Sequence, residues 1–592
     1  MPVPPFDRFV RHAELTELVA AMQEDHPDLV SSSSIGSSFE GRDIWLLTIT
    51  NSATGPASEK PALWVDANIH ATELTGSVAA LHLAHRLVTG YGSDPDVTRA
   101  LDTRAFYVVP RLNPDGAELA LLERPIELRS SARPYPRVDQ QDGLIREDVD
   151  GDGRLLSMRV EDPDGPWKPL PSEPRLLVAR DPHEEGDGPY YRVLPEGRIQ
   201  GFDGATITLA PQLRSLDMNR NWPIDWRPNG DQPGAGPYPT SEPEVRAAVQ
   251  AIVDRPNICA YIAYHTQSGV HLRPSSTKDD DSLPTADLRA YEVIGEAATA
   301  RTGYPAVSVY HGFRYDPKDV ITGVADDWAY EHLGVFAWTT ELWSPLRAAG
   351  IEDFDFLRWY DRHPIDDDLK LLAWNDEQLG GEGYVDWYPF DHPQLGPVEL
   401  GGWWSAHCWR NPPPHLLEAE VAPHSEWAVW HALVSPLLRL RSLEATPLDD
   451  GGASWRVRLV VVNAGWLPTN VTARALDRKA VRPLEAELLL PAGGEAAVVG
   501  EATVERGQLI GRNDKMGSPV WGAADPTDDR ATIDWIVTGP AGTVVRVEAR
   551  HQRAGVVRAE VVLGADRPDA PLGATAGPRV APAPGGGGRC GP

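Results

Sequence analysis

Three polar residues far apart in the chain each stand directly after a short apolar run. His70 follows the run 62–69, His265 follows the run 259–264, and Glu341 follows the run 335–340. Each run has the length of a buried strand, and helical patterns such as that of 76–88 lie between the runs. Strands that alternate with helices predict an α/β fold with a partly parallel sheet. Ligands of such sheets bind outside the carboxyl ends of the strands, so we expect the three residues to meet at one edge.

The length of the chain and the changes in its sequence pattern predict more than one domain. At 592 residues the chain exceeds the size of a single ordinary core. The predicted parts are a catalytic domain at 1–440 with a loop-rich insertion at 137–213, a β-sandwich at 441–565, and a disordered Gly/Pro tail at 566–592. The region 376–420 is rich in Trp, Pro and Gly and is predicted to form long loops.

The composition argues against several classes of protein. The net charge is −31 and the chain has no basic block, which argues against a nucleic-acid partner. Three cysteines without a Cys-x-x-Cys pair argue against a disulfide framework and a thiolate zinc site. The sequence shows neither a signal peptide nor an apolar run long enough to cross a membrane. These features predict a cytoplasmic protein without a membrane-spanning segment.

The residues after the apolar runs suit a catalytic zinc ion. Such an ion takes three protein ligands and keeps one position open for water. His70 and Glu73 are three positions apart, so both side chains can face one point, and His265 adds a ligand from a distant strand. Glu341 is the candidate for the base that takes a proton from the water. The four residues together predict a zinc hydrolase site.

Seven short motifs follow one another along the chain in a fixed order. They lie at 36–42, 68–73, 110–116, 217–222, 265, 327–330 and 340–342. In this order they resemble the motifs of the zinc metallocarboxypeptidase family, typified by pancreatic carboxypeptidases A and B. The resemblance extends over residues 5–140 and 210–345. It implies a mixed eight-stranded sheet flanked by helices, one zinc ion per chain, and peptide or protein C-termini as substrates.

The resemblance also implies a role for each residue of the predicted zinc site. His70, Glu73 and His265 match the family's zinc ligands. Glu341 matches the glutamate that serves as general base and acid. These roles agree with those that the residue types suggest on chemical grounds.

Further residues match positions around the zinc ion in the family. Asn219 and Arg220 match the pair that binds the C-terminal carboxylate of the substrate, which a guanidinium can hold through two hydrogen bonds. Asp217 matches an acid that orients a zinc-binding histidine, and a turn residue is its alternative role. Arg129 matches the arginine that polarises the scissile carbonyl, with Arg133 as the alternative.

Two positions bear on substrate specificity. Asp326 matches a position in the family's specificity pocket, where an acid selects C-terminal Lys or Arg; the alternative is a solvated loop acid. The family's tyrosine that closes over the substrate has no counterpart at its usual spacing, where this chain has Asp319. Tyr315 is the candidate for that role, and Tyr310 lies nearby.

An acidic loop inside the insertion resembles the first half of a calcium-binding loop. Asp148, Asp150 and Asp152 alternate with small residues, but position twelve is an arginine, which excludes an EF-hand. A smaller calcium site that includes Glu147 or Glu161 is one interpretation, and an acidic turn without metal is the other.

The sequence thus predicts a zinc metallocarboxypeptidase, with a preference for C-terminal Lys or Arg as a finer hypothesis. A zinc deacylase of the aspartoacylase type is an alternative, because that class shares the His-x-x-Glu and Asn-Arg patterns. A peptidase for cell-wall peptides is a second alternative. A fold that only binds peptide termini is a third, against which the complete ligand set and base argue.

Overall fold

The computed structural model describes residues 3–186, 188–316, 318–352, 354–449, 453–515 and 526–565. Within them the helices are α1 His12–Asp25, α2 Thr75–Gly90, α3 Pro95–Thr103, α4 Pro114–Ala120, α5 Pro243–Val253, α6 Thr285–Thr302, α7 Val309–Gly312, α8 Ala325–Trp328, α9 Pro345–Ala348, α10 Arg358–Asp361, α11 Ile365–Gln378, α12 Pro414–Leu433 and α13 Ala473–Asp477. The predicted disordered tail, 566–592, lies outside the described residues.

The strands fall into a central sheet, the insertion and a C-terminal region. Those of the first two are β1 Val30–Ser37, β2 Asp43–Ile49, β3 Ala62–Ala67, β4 Ala105–Val109, β5 Gly143–Arg146, β6 Ser157–Glu161, β7 Trp167–Leu170, β8 Glu173–Ala179, β9 Tyr191–Pro195, β10 Gly197–Gln200, β11 Ile258–Thr266, β12 Val270–Arg273, β13 Ala306–Ser308, β14 Phe336–Leu342, β15 Tyr384–His392 and β16 Gly396–Trp403. The C-terminal strands are β17 Leu438–Pro447, β18 Ser454–Asn463, β19 Leu484–Leu489, β20 Ala497–Val499, β21 Thr503–Arg506, β22 Arg530–Thr538, β23 Val544–His551 and β24 Gly555–Val562.

A mixed sheet of eight strands forms the centre of the N-terminal part of the chain. Its order is β1-β2-β4-β3-β11-β14-β12-β13, and β4, β3, β11 and β14 run parallel to one another. Every residue of β3 and β11 is buried, as expected for central parallel strands covered on both faces. The predicted α/β fold with a mixed eight-stranded sheet flanked by helices is confirmed.

Close packing of α2 against β11 positions the segment that carries two of the predicted zinc ligands. A Cβ atom on Gly76 would lie 2.9 Å from the backbone oxygen of Tyr264, so a larger residue would push the helix away from the strand. The ring of Tyr264 meets that of His424 on α12, with centroids 6.3 Å apart. Because α2 begins at Thr75, the close approach of Gly76 to Tyr264 fixes the loop of residues 68–74 relative to the strand end at His265.

The insertion contributes strands to a second sheet, which it shares with a later hairpin. The order of this six-stranded sheet is β15-β16-β6-β9-β7-β8, and β5 pairs separately with β10. Met158, Val398 and Leu400 are buried between these strands. The prediction of long loops across 376–420 is therefore wrong, because β15 and β16 form a hairpin there. Strand β16 pairs with β6, where Glu399 lies opposite Arg159, 240 residues earlier in the chain. Because this partner is so distant, no local sequence pattern predicts the strand.

Two four-stranded antiparallel sheets form the C-terminal region. Their orders are β17-β18-β22-β20 and β21-β19-β23-β24, and one apolar cluster that includes Val457, Ile533 and Val547 lies between them. This arrangement is that of a β-sandwich. Buried Arg553 joins it to the part of the chain that holds the central sheet, by donating to the backbone oxygen of Gly334 at 3.0 Å. The predicted boundaries 1–440 and 441–565 stay predictions.

Among the described residues, no helix combines the length and the apolar composition needed to cross a membrane. The predicted cytoplasmic location stays a prediction.

Candidate metal centre and active site

Strand register brings the predicted site residues together at one sheet edge. His265 on β11 lies directly opposite Glu341 on β14 in the parallel register. Strand β3, on the other side of β11, ends just before Asn68, whose φ of 59° turns the chain towards His70. Asn tolerates this left-handed conformation better than most residues. Glu73 follows within the same loop, so all four predicted residues reach one point.

The two histidines and Glu73 form a compact, buried cluster. The Nδ1 atoms of His70 and His265 lie 3.1 Å apart. Glu73 Oε1 lies 2.9 Å from Nδ1 of His70, and Glu73 Oε2 lies 3.1 Å from Nδ1 of His265. None of the three side chains is more than 3% exposed. Two imidazole nitrogens and one carboxylate that face each other at these distances fit the ligand set of a catalytic zinc ion.

Asp217 and Arg129 complete the immediate surroundings of this cluster. Nε2 of His70 lies 3.1 Å from Asp217 Oδ1, so an N–H at Nε2 donates to the carboxylate and leaves Nδ1 free to bind metal. Arg129 donates from Nε to Asp217 at 3.0 Å and from Nη1 to Glu73 at 3.1 Å. Burial alone would raise the pKa of Asp217, but Arg129, Arg220 and His70 hold that pKa well below its usual value. Asp217 is thus a carboxylate that accepts from Nε2 of His70, from Nε of Arg129 and from the backbone N–H of Asn219.

The two candidate arginines have different partners. Arg129 faces the cluster of His70, Glu73 and His265. Its backbone oxygen accepts from the N–H of Ala71 at 3.0 Å, which joins Arg129 to the loop of residues 68–74, called the zinc-binding loop below. Arg133 pairs instead with the buried carboxylate of Glu242. The structure therefore brings Arg129, and not Arg133, to the site.

Glu341 has the electrostatic environment of a group that can exchange a proton near neutral pH. Burial raises the pKa of Glu341 to about 8, and the charge of Glu73 adds to this shift. His265, Arg129 and Arg410 act in the opposite direction. A raised pKa at a strand end beside a metal cluster is typical of a catalytic acid or base.

Asn219 and Arg220 lie in a single turn next to Asp217. The side-chain oxygen of Asn219 accepts from the backbone N–H of Ala325 at 3.0 Å, so its amide N–H groups remain for other partners. Arg220 donates from Nη1 to the backbone oxygen of Asn219 at 2.8 Å. Tyr315 is 63% exposed at the rim of this cluster. Desolvation of the Tyr315 hydroxyl raises its pKa, while the positive charges of Arg220 and Arg129 oppose this shift.

Asp326 is a deeply buried acid. Its side chain is 2% exposed, and Oδ2 has no hydrogen-bond partner among the described residues. Burial raises the pKa of Asp326, and the nearby His265 and Thr339 oppose this shift. Because His265 is close enough to act on it, the Asp326 carboxyl lies near the base of the cluster. The neighbouring Asp327 differs, because both its oxygens accept from the backbone N–H of Ser276 at 3.0 Å. The alternative that Asp326 is a solvated loop acid is wrong.

Two of the seven motifs support the site without entering it. Asn113 donates to the backbone oxygens of Ile69 at 3.1 Å and Ser130 at 2.7 Å, so it joins the zinc-binding loop to the segment of Arg129. Asp115 accepts from the Ser38 hydroxyl at 2.7 Å, which links the motif 110–116 to the motif 36–42. These motifs hold the geometry of the site through buried polar contacts.

Two asparagines to which the sequence analysis assigned no role hold the backbone around the ligands. Asn68 donates to the backbone oxygen of His70 at 2.7 Å, and Asn411 donates to that of Thr72 at 2.9 Å. Asn68 belongs to the motif 68–73, so its position in that motif was a usable signal. Asn411 stands outside all seven motifs and carried no such signal.

The acidic loop of the insertion differs from the predicted calcium loop. Ligand atoms of Asp148 and Asp150 lie close to those of Glu196, which the sequence analysis did not include. Asp152 turns away and accepts from the backbone N–H and the guanidinium of Arg154 at 2.8 and 2.7 Å. Both oxygens of Asp148 accept backbone N–H groups of its own loop. The predicted calcium set of Asp148, Asp150 and Asp152 is therefore not brought together, and calcium binding is not supported.

The fold and the cluster define an α/β domain with a metal site at the carboxyl ends of its parallel strands. A family model described as zinc carboxypeptidase matches residues 15–139 and 200–353, and the unmatched stretch 140–199 lies inside the predicted insertion. Through these residues the chain belongs to the zinc carboxypeptidase family. A second model, described as a domain of unknown function, matches residues 437–562, which hold the two C-terminal sheets.

Individual carboxypeptidases are distant relatives of the chain. Carboxypeptidase A1 of Rattus norvegicus is 23% identical over 341 residues, or 58% of this chain and 63% of that protein. Carboxypeptidase A2 of Mus musculus is 41% identical over 105 residues, or 18% of this chain and 23% of that protein. The chain thus spans about three-fifths of the length of the carboxypeptidase A1 relatives that it matches.

The chain also matches solved structures at low similarity. The crystal structure of thrombin activatable fibrinolysis inhibitor is 19% identical, with a TM-score of 0.37, and the match covers 64% of this chain and 76% of that one. The carboxypeptidase A from Helicoverpa armigera is 17% identical, with a TM-score of 0.37, and covers 64% of this chain and 75% of that one.

Proposed function

We propose that the protein is a zinc-dependent carboxypeptidase that hydrolyses the C-terminal peptide bond of peptides or proteins. The observation that carries the proposal is the convergence of His70, Glu73 and His265 beside Glu341, whose strand lies in register with that of His265. Zinc, when bound to such a ligand set, supplies a Lewis acid and lowers the pKa of a coordinated water.

The residues around the cluster have separate tasks in this proposal. Glu341 takes the proton of the attacking water and passes it to the leaving amine, which its position opposite His265 at the strand ends suits. Arg129 is partly exposed beside Glu73, so its guanidinium can reach the scissile carbonyl and stabilise the charge that develops there. Asp217 keeps His70 in the tautomer whose Nδ1 binds metal.

Asn219 and Arg220 make the proposed enzyme an exopeptidase. We expect Arg220→Met to lower kcat/KM for a peptide with a free C-terminus by roughly 10- to 150-fold, the value of a charge-assisted hydrogen bond. The same peptide with a C-terminal amide lacks the charge, so its already slow cleavage should not change. The comparison uses steady-state kinetics on both peptides. Arg227→Met removes an exposed arginine that pairs with Asp319, and serves as the control. Equal activity of Arg220→Met and wild type on the free peptide would contradict this assignment.

Asp326 supports a preference for C-terminal Lys or Arg. A buried carboxyl group with an unpartnered oxygen is costly unless a cation meets it. We expect Asp326→Asn to lower kcat/KM for a peptide ending in Lys by roughly 10- to 150-fold, and to affect a peptide ending in Leu much less. Asp327→Asn is the matched control, because its carboxylate already has a backbone partner and should influence both peptides alike. A wild-type enzyme that prefers Leu would rule out this pocket assignment.

One profile of substrates tests the function as a whole. Purified protein is incubated with a library of peptides that differ in their last residue, with an N-acyl amino acid, and with a cell-wall peptide. Release of single C-terminal residues from the library supports the carboxypeptidase. Cleavage of only the N-acyl amino acid supports the deacylase, and cleavage of only the cell-wall peptide supports the cell-wall peptidase. Zinc binding without any cleavage leaves a protein that only binds peptide termini.

A further inference from the structure

A segment beyond the family match returns to the zinc-binding loop. Residue 411 lies between β16 and α12, and the carboxypeptidase match ends at 353. Asn411 is 1% exposed. Its amide group donates to the backbone oxygens of Thr72 at 2.9 Å and Ala406 at 3.0 Å. Its side-chain oxygen accepts from the backbone N–H of Thr75 at 3.0 Å and from the Thr75 hydroxyl at 2.8 Å. The contacts to Thr72 and Thr75 lie on either side of Glu73 in the chain.

The start of α2 explains why an outside partner is needed. The first N–H groups of a helix have no intrahelical acceptor, and a polar residue at the N-cap usually supplies one. The N-cap position of α2 is Leu74, whose side chain has no acceptor atom. Asn411 supplies the acceptor from 336 residues away, because Thr75 is the first residue of the helix.

The same side chain holds the other end of the turn. Its amide group binds the Thr72 carbonyl, so one planar group clamps the backbone before and after Glu73. Glu73 faces His70 and His265 from this turn at 2.9 and 3.1 Å. Loss of the clamp would leave buried backbone groups unpaired and free the turn to move away from the histidines.

We propose that Asn411 is a positioning residue that sets the zinc affinity of the site by clamping the turn that carries Glu73. The carboxypeptidase domain would then be incomplete at residue 353, since one support of its metal site comes from the segment after it. The inference rests on the proposed zinc site. It adds a residue that touches neither metal nor substrate and acts only through the backbone of the ligand loop.

The test compares zinc dissociation constants of full-length variants by competition with a chelating dye. We expect Asn411→Ala to weaken zinc binding by roughly 10- to 100-fold, the range for residues that support metal ligands without binding the metal. Asn463 is the matched control. It is 2% exposed in the β-sandwich and makes the same kinds of contact, accepting from the N–H groups of Leu437 and Gly465 and donating to two backbone oxygens. Asn463→Ala should lower the melting temperature and leave the zinc affinity unchanged.

The outcomes separate this inference from the proposed function. If the wild-type protein binds no zinc, the function itself fails. If the wild type binds zinc and Asn411→Ala matches it in affinity, the positioning role is wrong. Should Asn411→Ala not fold, Thr75→Val replaces it, because this change removes only the hydroxyl that donates to Asn411. We then expect about threefold weaker zinc binding, the value of one neutral hydrogen bond, and unaltered affinity would contradict the role.

Discussion

Replacing Glu341 by Gln should lower kcat by about 10²- to 10⁴-fold while zinc stays bound, because glutamine has the same shape but accepts no proton. Glu341 lies opposite His265 in the sheet, and the substitution leaves all three metal ligands in place. The measurement is steady-state kinetics on a peptide substrate together with the zinc content of the same preparation.

The control for this variant is a glutamate of similar chemistry outside the site. Glu426 on α12 is half exposed and pairs with Arg86, so Glu426→Gln should retain full activity. A Glu341→Gln enzyme with activity within tenfold of the wild type would contradict the proposed base. Loss of both activity and zinc would instead give Glu341 a part in metal binding.

Removal of the metal should have a still larger effect. Treatment with a chelator is expected to reduce hydrolysis to background, and stoichiometric zinc should restore it, because no described group replaces the Lewis acid. His265→Ala should weaken zinc binding by more than about 100-fold, since loss of a direct ligand exceeds the loss of a supporting residue. Zinc that binds only the folded state also stabilises it, so the melting temperature should fall on chelation and in His265→Ala.

A second histidine pair provides the control for metal loss. His82 and His85 are three positions apart on α2, but they pack against Phe6, with ring centroids 4.9 and 5.5 Å away. His85→Ala should therefore keep the zinc content and the response to chelator of the wild type. Activity that survives exhaustive chelation, with zinc absent from the protein, would refute a metal-dependent mechanism.

The candidate site could be predicted to a large extent from local patterns. His70, His265 and Glu341 each follow an apolar run, and strands of that kind bring their carboxyl ends to one edge. The family resemblance implies the carbonyl-polarising role for Arg129, with Arg133 as the alternative, and the structure shows that Arg129 contacts Glu73. These residues could be selected from the sequence because each depended on a residue type, its short-range neighbours or its place among the motifs, and their roles stay predictions.

Predictions that depended on distant partners were less successful. The sequence of 376–420 predicts long loops and not the hairpin of β15 and β16, because these strands contain Pro389 and several glycines and are ordered by pairing with the insertion. In the acidic loop, no local pattern predicts Glu196, because it reaches Asp148 and Asp150 from the junction between β9 and β10. When a side chain joins a cluster from a distant part of the chain, the residues next to it in the sequence do not predict that contact.

The sequence by itself determined the family, the central sheet and the residues that converge on the metal site, because strand ends and short motifs are local properties. Only the tertiary structure decided which arginine faces the ligands, that Asp326 is buried, and that the turn of Glu73 is clamped by Asn411. The physical reason is that a helix start at Thr75 must find a hydrogen-bond acceptor, while nothing in its own segment specifies where that acceptor lies in the chain.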